Sequence, residues 1–369
     1  MRVIYFTRGF GPHDHRFLSA LAGTQHEVFL LRLENGEASQ AQLQVPTAIR
    51  QPEWAGGRQT FRWRDTLGLA RDLRRVADAV NADLVHAGPV NTCGFVAVHS
   101  GFRPILTMSW GFDLQEDAKR NLWWRAITQY TLKRTTFFTC DAQVTAQLAA
   151  NYGVSRDRMS LFPWGVDLDH FAPTATPKGV SASFTVLCNR SWEPRYGVDC
   201  VARAFSLAAR RNPDLRLVLL GEGSQGPEIR RTLAEASVTE RVRFGGRVSQ
   251  ESLPDWYRRA DLYVSASHID GSSVSLMEAL ACGTPALVSD IPANREWVRD
   301  EVNGWLFPDG DANALAERLE QISSRRAELP GFSRRARQTA EEKADWRTNF
   351  PVLLRSYEEA VRLHAEGED

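Results

Sequence analysis

Apolar residues in the first half of the chain form short strand-like runs separated by amphipathic helical stretches. The run RVIYFT precedes the helical pattern HDHRFLSALA, and HEVFLLRL precedes the amphipathic stretch WRDTLGLARDLRRVADAV. Three more strand candidates follow, DLVHAG, RPILTMSWG and TTFFTCD. Strands rich in Val, Ile and Leu that alternate with helices are typical of parallel βαβ units.

The same alternation restarts after a change in composition. Residues 171–184, FAPTATPKGVSASF, are rich in Pro, Thr, Gly and Ser, as an interdomain linker would be. Beyond them, helical patterns separate five further strand candidates: SFTVLCN, LRLVLLG, VRFGG, DLYVSAS and PALVSD.

This pattern predicts an α/β protein with two Rossmann-like, doubly wound parallel-sheet domains. The first domain spans residues 1–172 and the second spans 173–346. A final amphipathic helix at about 347–369 could pack on either domain, including back on the first. Because ligands of parallel sheets bind beyond the carboxyl ends of the strands, we expect the two domains to face each other across a cleft.

Composition excludes several classes of protein. The 369 residues include 45 Lys+Arg and 45 Asp+Glu, and this balance argues against a nucleic-acid partner. The five cysteines form no C-x-x-C pair, so we expect buried, reduced thiols in a cytoplasmic protein. No run of 18 apolar residues occurs, and RVIYFT reads as a strand, so we expect neither a membrane span nor a signal peptide.

A short apolar helix with a single charge lies within the stretch HIDGSSVSLMEALACGTPALVSD. Val274, Met277, Glu278 and Ala281 follow the i, i+3, i+4, i+7 spacing of a buried helical stripe. Its amino end, residues 271–273, would offer unpaired N–H groups and a positive dipole end to a diphosphate. Glu278 would lie about 7.5 Å farther along the axis, where a carboxylate could accept hydrogen bonds from ribose hydroxyls.

A purely structural interpretation of this stretch also stays open. Asp270 would then cap the helix. Glu278 would pair with an arginine of the core, because burying an unpaired carboxylate is costly. We favour the ligand interpretation.

Several motifs in the second half resemble one enzyme family. An acidic residue, a glycine and then Glu-Ala eight positions after the acid, followed by CGTPALVSD and NGWLF, resemble the retaining glycosyltransferases of the GT-B fold, family 4. PWGVDLDHF and FGGRVSQESLPDWYRRADLYVSAS also match that family, and the resemblance covers nearly the whole chain. The family's paired-glutamate motif begins with Glu, whereas this chain has the shorter Asp270, so its reach to a donor sugar differs.

The resemblance implies metal-independent transfer of a sugar, with retention, from a nucleotide-diphosphate sugar to a hydroxyl of a glycan, lipid-linked or small-molecule acceptor. No further cofactor is implied. Arg190 matches the family's phosphate-binding arginine, Arg195 stands where the family has Lys, and the backbone of 246–248 would meet the nucleotide base. An ordinary surface position is the alternative for both arginines. The donor-side candidates are Gly11, Gly221, Gly246, Arg247, Val248, Gly271, Ser272, Ser273, Val274 and Ser275, beside the catalytic candidates Arg190, Arg195, Asp270 and Glu278.

Two literal motifs point to other chemistry and are rejected. Gly221-x-Gly223-x-x-Gly226 reads as a dinucleotide fingerprint, but the next strand, RVRFGGRV, offers no acidic residue at its end. The motif also opens the second βα unit of its domain. Asp167-x-Asp169 is a D-x-D pattern within a segment that matches the family, so we expect no catalytic metal there.

Candidates for the acceptor side lie in the first domain. They are His13, His86, Trp110 and Asp113. His13 could contact the acceptor or cap a helix, and Asp113 could contact the acceptor. A core position is favoured for Trp110, and a satisfied histidine near a strand end is favoured for His86.

The stretch KRNLWWRAITQYTLKR, residues 119–134, mixes basic and aromatic residues on one helix. Such a helix could contact an anionic membrane surface from the cytoplasmic side. An ordinary amphipathic helix is the favoured alternative.

Three other functions remain open. A GT-B sugar-nucleotide epimerase would use the same nucleotide site but need no acceptor. An NAD-dependent oxidoreductase would bind a reduced dinucleotide. A non-catalytic sugar-nucleotide-binding protein would bind the donor without turnover.

Overall fold

The computed structural model describes residues 1–34, 44–174 and 182–367. These residues form two compact units. The first consists of Met1–Phe162 with Phe350–Asp369, and the second of Pro163–Asn349. The contact boundary at Phe162 lies before the boundary that the sequence suggested at 172. The centre of the predicted linker, residues 175–181, lies outside the described residues.

The first unit is built on a parallel sheet. Its described strands are β1 (Arg2–Thr7), β2 (Glu27–Arg32), β3 (Leu84–Gly88), β4 (Ile105–Met108), β5 (Phe137–Cys140) and β6 (Met159–Leu161). They lie in the order β2-β1-β3-β4-β5-β6, and every pair is parallel. The order therefore reverses between β1 and β3, the switch point of a doubly wound sheet.

Helices connect these strands. They are α1 (Pro12–Ala22), α2 (Thr66–Ala79), α3 (Phe95–His99), α4 (Phe112–Gln115), α5 (Leu122–Leu132) and α6 (Gln143–Asn151). The buried faces of α2 and α3 pack with β1–β4 around one apolar cluster, while α6 packs on β5 and β6 in another. The strands are nearly continuous apolar runs because helices cover the sheet on both faces.

The second unit repeats this architecture with another strand order. Its described strands are β7 (Phe184–Cys188), β8 (Leu215–Leu220), β9 (Val242–Gly246), β10 (Leu262–Ser265), β11 (Ala286–Ser289) and β12 (Gly304–Phe307). They lie in the order β12-β11-β10-β7-β8-β9, and all pairs are parallel. This is the Rossmann order, with its switch point between β7 and β10.

The remaining helices complete the chain. They are α7 (Val198–Arg211), α8 (Gly226–Glu235), α9 (Leu253–Arg259), α10 (Val274–Ala281), α11 (Pro292–Arg295), α12 (Ala312–Ser324), α13 (Leu329–Lys343) and α14 (Trp346–Ala365). The part of α14 from Phe350 onward belongs to the first unit. There the Tyr357 hydroxyl is hydrogen-bonded to His86 Nδ1, and the Ser356 and Ser160 hydroxyls lie 2.7 Å apart.

The predicted fold class is confirmed, because both units are parallel α/β sheets flanked by helices. Each strand and helix that the alternation predicted is present. The pattern did not predict β6, β12, α6, α11, α12 or α13. β6 has only three residues, all of them half-buried, which is too few for a periodic signal. The helix α13, LPGFSRRARQTAEEK, is so rich in charge that its apolar stripe is weak.

Candidate functional site

The candidate donor residues gather at the switch point of the second sheet. Strand β7 ends at Cys188, and Asn189 and Arg190 follow it directly. The neighbouring strand β10 leads into the loop that opens helix α10. Because β7 and β10 pair in parallel, the loops that follow them both leave the sheet at the carboxyl ends of the strands. Ligands of open α/β sheets bind beyond these ends, at the switch point.

The two loops approach each other closely at a glycine and are joined by a backbone hydrogen bond. Gly197 precedes α7 with a φ of 59°, and a Cβ there would lie 2.1 Å from the Ala266 carbonyl oxygen. The His268 N–H donates to the Arg195 carbonyl at 2.9 Å. Arg195 itself is half-buried in the 3-10 turn Pro194–Tyr196. The loop after β7 is therefore held against the loop after β10.

Arg190 lies at the amino end of α10. Its Nη2 donates to Asp270 Oδ2 at 2.7 Å, and its Nη1 donates to the hydroxyls of Ser273 and Ser275 at 2.8 and 2.9 Å. The guanidinium carbon also lies 4.3 Å from the centre of the Tyr196 ring. Only 10% of the arginine side chain is exposed. The guanidinium is therefore fixed on several sides.

The charges around Arg190 favour an additional anion. Burial lowers the pKa of Arg190, but the charges around it, with Asp270 first, raise that pKa by more than burial lowers it. The guanidinium therefore stays charged. Burial raises the pKa of Asp270, and Arg190 offsets part of that rise. Within the described residues the buried Arg190 Nε has no hydrogen-bond partner. A cation beside the positive end of a helix, with one donor unfilled, is suited to hold an anionic ligand.

The other donor-side candidates of this loop line the same helix end. Ser272 and Ser273 are buried, and Gly271 is buried beside them. Val274 begins α10 half-buried and packs on the apolar cluster beneath it. The predicted anion seat at residues 271–273 is therefore built from residues that the structure brings together with Arg190.

Glu278 is buried on the inward face of α10, as the helical spacing predicted, with 4% of its surface exposed. The Tyr257 hydroxyl donates to Glu278 Oε2 at 2.8 Å, and Asn189 Nδ2 donates to the same hydroxyl at 2.6 Å. Burial and the Glu278 charge raise the pKa of Tyr257 well above its usual value, so it remains a neutral donor. The structural interpretation named a core arginine as the partner; this tyrosine is one donor to the carboxylate.

The glycines of the literal dinucleotide motif serve close packing. Gly221 has a φ of 86°, and a Cβ there would lie 3.0 Å from the Arg190 carbonyl oxygen. At Gly223 a Cβ would lie 2.5 Å from the Trp192 backbone. These glycines let the loop after β8 pack against the loop that carries Arg190. The motif thus supports the neighbouring loop.

The base-side candidates lie at the end of β9. Gly246 accepts a hydrogen bond from the Gly221 N–H at 2.7 Å and has a φ of 62°. Arg247 Nε lies 3.4 Å from Glu222 Oε2, and Val248 packs at the margin of the apolar cluster around α10. These three residues are adjacent to the loop after β8.

In the first unit, His13 and Trp110 come together at the carboxyl ends of β1 and β4. Their ring centroids lie 6.1 Å apart at 84°, and both residues are half-buried. Gly11 is the N-cap of α1, and its N–H donates to Asp14 Oδ2 at 2.9 Å. Asp14 therefore caps α1, and burial raises the pKa of Asp14 to about 6.

Two acceptor-side candidates lie in the interior of the first unit, which corrects the prediction for Asp113 and agrees with the satisfied histidine favoured for His86. Asp113 is fully buried, and its carboxylate accepts hydrogen bonds from the Ser109 hydroxyl at 2.5 Å and the Val90 N–H at 2.9 Å. Burial raises the pKa of Asp113 to about 6. His86 is also buried, and its Nδ1 lies 2.7 Å from the Tyr357 hydroxyl, while burial lowers the pKa of His86 to about 3. Both residues therefore support the interior of the unit and are closed to an acceptor.

The literal D-x-D pattern serves a turn. Asp167 Oδ1 accepts from the N–H groups of Asp169 and His170, and Asp169 pairs with Arg347. In the part of the chain that the structure describes, no three His, Cys, Asp or Glu side chains are grouped to hold a metal ion. The five cysteines are free and buried, as predicted. No helix among the described residues is long and apolar enough to cross a bilayer.

Sequence reasoning did not identify Tyr257 or Asn189, which position Glu278. A signal for Tyr257 exists, because it follows Leu253 by four residues and both lie on the buried face of α9. A tyrosine in a buried helical stripe needs a partner for its hydroxyl. Nothing local marks Asn189.

Family models match both halves of the chain. The model described as Glycosyl transferases group 1 matches residues 180–343, and the model described as Glycosyltransferase Family 4 matches residues 8–170. Among curated proteins, a D-inositol 3-phosphate glycosyltransferase of Saccharomonospora viridis is 31% identical over 230 residues, which are 58% of this chain and 53% of that protein. One from Xylanimonas cellulosilytica is 32% identical over 232 residues, 57% and 54% of the two chains. The chain spans about half the length of these curated relatives.

Solved structures share the fold. A sucrose-phosphate synthase from Thermosynechococcus elongatus has a TM-score of 0.82 at 19% identity and covers 99% of this chain and 100% of its own. Anabaena HepE in complex with UDP-glucose has a TM-score of 0.78 at 17% identity, with 99% and 100% covered. At these identities the likeness concerns the fold.

Proposed function

Because the chain belongs to the family 4 glycosyltransferases of the GT-B fold, we propose that it transfers a sugar from a nucleotide-diphosphate sugar to an acceptor hydroxyl, with retention of configuration. The observation that supports this most is the arrangement around α10. A buried arginine with an unfilled Nε donor lies at the helix amino end. A buried glutamate held by Tyr257 lies five residues, or about 1.4 turns, after the N-cap Ser273. This arrangement suits a diphosphate followed by a ribose.

Each part of the donor has a proposed partner. Arg190 and the amides of residues 271–273 would bind the diphosphate, and Glu278 would accept hydrogen bonds from the two ribose hydroxyls. The phosphate oxygens would replace the Asp270 carboxylate as the ion-pair partner of Arg190. Asp270 would then accept hydrogen bonds from hydroxyls of the donor sugar. Arg195 would add a second positive charge.

The proposed reaction is a front-side displacement. The bond between the anomeric carbon and the diphosphate oxygen breaks, and the acceptor oxygen forms a new bond on the same face of the sugar. The acceptor proton passes to the departing phosphate oxygen, so no separate general base is required. Arg190 and the α10 amides stabilise the negative charge that develops on the leaving diphosphate. These residues can carry that charge without a metal ion.

Acceptor contacts are proposed for His13 and Trp110, the half-buried pair at the ends of β1 and β4. A half-buried aromatic ring suits a sugar or another polyol. The acceptor class is a glycan, a lipid-linked sugar or a small molecule. Inositol phosphate belongs in the first panel because the curated relatives are named D-inositol 3-phosphate glycosyltransferases. We place the reaction in the cytoplasm, which accords with five free, buried thiols.

The test is a donor and acceptor panel. UDP-, GDP- and ADP-sugars are incubated with each acceptor, starting with UDP-glucose, the ligand of the HepE structure. Release of nucleoside diphosphate is measured together with the anomeric configuration of the product by NMR. Glu278→Gln is the impaired variant, and Arg210→Ala, an exposed arginine of α7, is the matched control.

The proposal predicts that nucleoside diphosphate is released only with an acceptor and that the product keeps the anomeric configuration of the donor. Glu278→Gln should release less nucleoside diphosphate and form less product, whereas the control should match the parent. A sugar altered without any acceptor would identify an epimerase instead. Donor binding without turnover across the panel would identify a binding protein. Inverted configuration in the product would contradict the front-side displacement.

A further inference from the structure

Exposed apolar side chains concentrate at one place on the first unit. Among the described residues, four large apolar side chains are exposed: Leu67 by 59%, Leu122 by 83%, Trp123 by 59% and Val302 by 47%. The first three come from two adjoining segments of the first unit. Single exposed apolar residues are ordinary, whereas a group of them marks an interaction surface.

A tryptophan joins these two segments. The Trp63 ring lies 6.3 Å from the Trp123 ring and 5.6 Å from the Phe95 ring of α3. Leu67 follows Trp63 by four residues at the start of α2. We call the surface formed by Trp63, Leu67, Leu122 and Trp123 the tryptophan patch.

Local structure forces the first turn of α5 outward. Asn121 caps this helix by accepting a hydrogen bond from the Trp124 N–H at 3.1 Å. The buried face of α5 begins only at Ile127, so Leu122 and Trp123 occupy the first turn without cover from the unit's core. Trp124, in contrast, turns inward and its ring lies 5.3 Å from that of Trp63.

Positive charge surrounds the tryptophan patch. The two segments that form it carry six exposed cations: Arg62, Arg64, Arg71, Lys119, Arg120 and Arg125. The same segments, 61–71 and 117–126, contain only two carboxylates, Asp65 and Asp117. Both lie beside an arginine, at 3.9 Å from Arg64 and 3.3 Å from Arg120. The chain as a whole has no net charge, so this excess is local.

We propose that the tryptophan patch docks on an anionic phospholipid surface. Trp123 would lie at the level of the headgroups, where indole rings partition, and Leu122 would reach the acyl boundary below them. The six cations would meet lipid phosphates and acidic headgroups. A second copy of this chain fits the surface poorly, because a twofold contact would bring the six cations of one copy against the six of the other.

Vesicle flotation tests this inference without donor or acceptor, so its outcome does not depend on the proposed glycosyl transfer. The parent protein is mixed with phosphatidylcholine vesicles that contain or lack phosphatidylglycerol. Leu122→Ser with Trp123→Ser removes the exposed apolar groups, and Lys119→Ser with Arg125→Ser removes two cations. The matched control is Val302→Ser with Arg210→Ser, an exposed apolar residue and an exposed cation of the second unit.

Binding is expected only with phosphatidylglycerol and should weaken as salt rises. The apolar variant should lose about tenfold or more in affinity. The charge variant should lose roughly fivefold for each cation removed. The control should bind as the parent does. Brominated phosphatidylglycerol should quench parent fluorescence more than that of Trp123→Ser, which confirms insertion of that ring.

Three results would overturn the inference. The first is equal flotation of the parent and the apolar variant while thermal melting shows both folded. The second is equal binding to vesicles with and without phosphatidylglycerol. The third is sedimentation of the parent as a dimer that Leu122→Ser with Trp123→Ser dissociates, which would assign the patch to a second copy.

Discussion

Arg190 and Asp270 follow different strands of the second sheet and form an ion pair with 2.7 Å between Nη2 and Oδ2. Their side chains are only 10% and 15% exposed. The same guanidinium is the proposed phosphate ligand, so without a donor the carboxylate occupies part of the anion site. The pair holds the arginine in position, and a donor bound as proposed would take over one of its contacts.

Asp270→Asn should therefore tighten UDP binding while it slows transfer. Without the carboxylate, Arg190 is a buried cation that lacks its counter-charge, and a diphosphate gains by supplying one. We expect UDP affinity to rise by roughly tenfold in calorimetry, since a charged hydrogen bond no longer competes. The thermal midpoint should fall without UDP and recover with it.

The matched control for that variant is Asp214→Asn, which changes an exposed carboxylate of the same unit. It should leave both UDP affinity and transfer unaltered. Weaker or equal UDP binding by Asp270→Asn would show that the carboxylate does not compete with phosphate for Arg190.

Tyr257→Phe should weaken binding through the ribose. The tyrosine hydroxyl donates to Glu278 at 2.8 Å and fixes its carboxylate. Its loss should cost about 1–3 kcal/mol of stability because buried polar groups lose a partner. We expect UDP affinity to fall about fivefold, as one oriented hydrogen bond weakens, while 2′,3′-dideoxy-UDP binds the parent and the variant equally.

Tyr357→Phe, which removes a buried tyrosine hydroxyl from the other unit, is the control for Tyr257→Phe. It should leave both affinities unchanged. An equal loss for UDP and its dideoxy analogue would place the effect of Tyr257 outside the ribose contact.

Much of the fold could be predicted from local patterns. The run VRFGG is β9, and the predicted helix start at Val198 is the start of α7. The Arg190–Asp270 pair could not be predicted, because its residues are 80 positions apart and meet only through the pairing of β7 with β10. Strand order depends on the whole sheet and leaves no local mark.

The candidate site was predictable to the same extent. The spacing from Asp270 to Glu278 places both on one loop and helix, and the structure keeps that relationship. The motif MSWGFD misled, because an aspartate shortly after a strand can face a ligand or cap the next turn. Asp113 does neither, because it lies inside α4 and its buried carboxylate accepts hydrogen bonds from four described donors.

Gly197→Ala should destabilise the second unit strongly. A Cβ at this position would overlap the Ala266 carbonyl oxygen at 2.1 Å, and the φ of 59° is already unfavourable for alanine. We expect a loss of about 3 kcal/mol or more in urea unfolding. Gly310→Ala is the control, with a similar φ of 75° but its nearest neighbour at 3.9 Å. It should cost only about 1 kcal/mol, from backbone strain alone, and equal losses would contradict the steric explanation.

The stability of the first unit should depend on His86 at acidic pH. Burial lowers the pKa of His86 from 6.5 to about 3. Between these two pH values the imidazole is therefore protonated in the unfolded chain and neutral in the folded chain. Its contribution to stability is complete above pH 6.5 and is lost as pH falls toward 3. The parent should therefore lose about 1.4 kcal/mol more per pH unit than His86→Gln within this window.

Urea unfolding at a series of pH values measures this difference. Tyr357→Phe loses the same hydrogen bond but keeps the buried imidazole, so it should retain the parent's pH dependence. Parallel curves for the parent and His86→Gln would mean that the imidazole is not shielded from protons in the folded chain.

We propose that a nucleoside diphosphate is held by Arg190 at the amino end of α10. Calorimetry of UDP and uridine with the parent, Arg190→Ala and the exposed control Arg210→Ala tests this binding. We predict that Arg190→Ala loses about tenfold to a hundredfold in UDP affinity, as expected for a charged hydrogen bond, with uridine binding unaltered. UDP binding by Arg190→Ala as tight as that of the parent, with GDP and ADP giving the same result, would contradict the account.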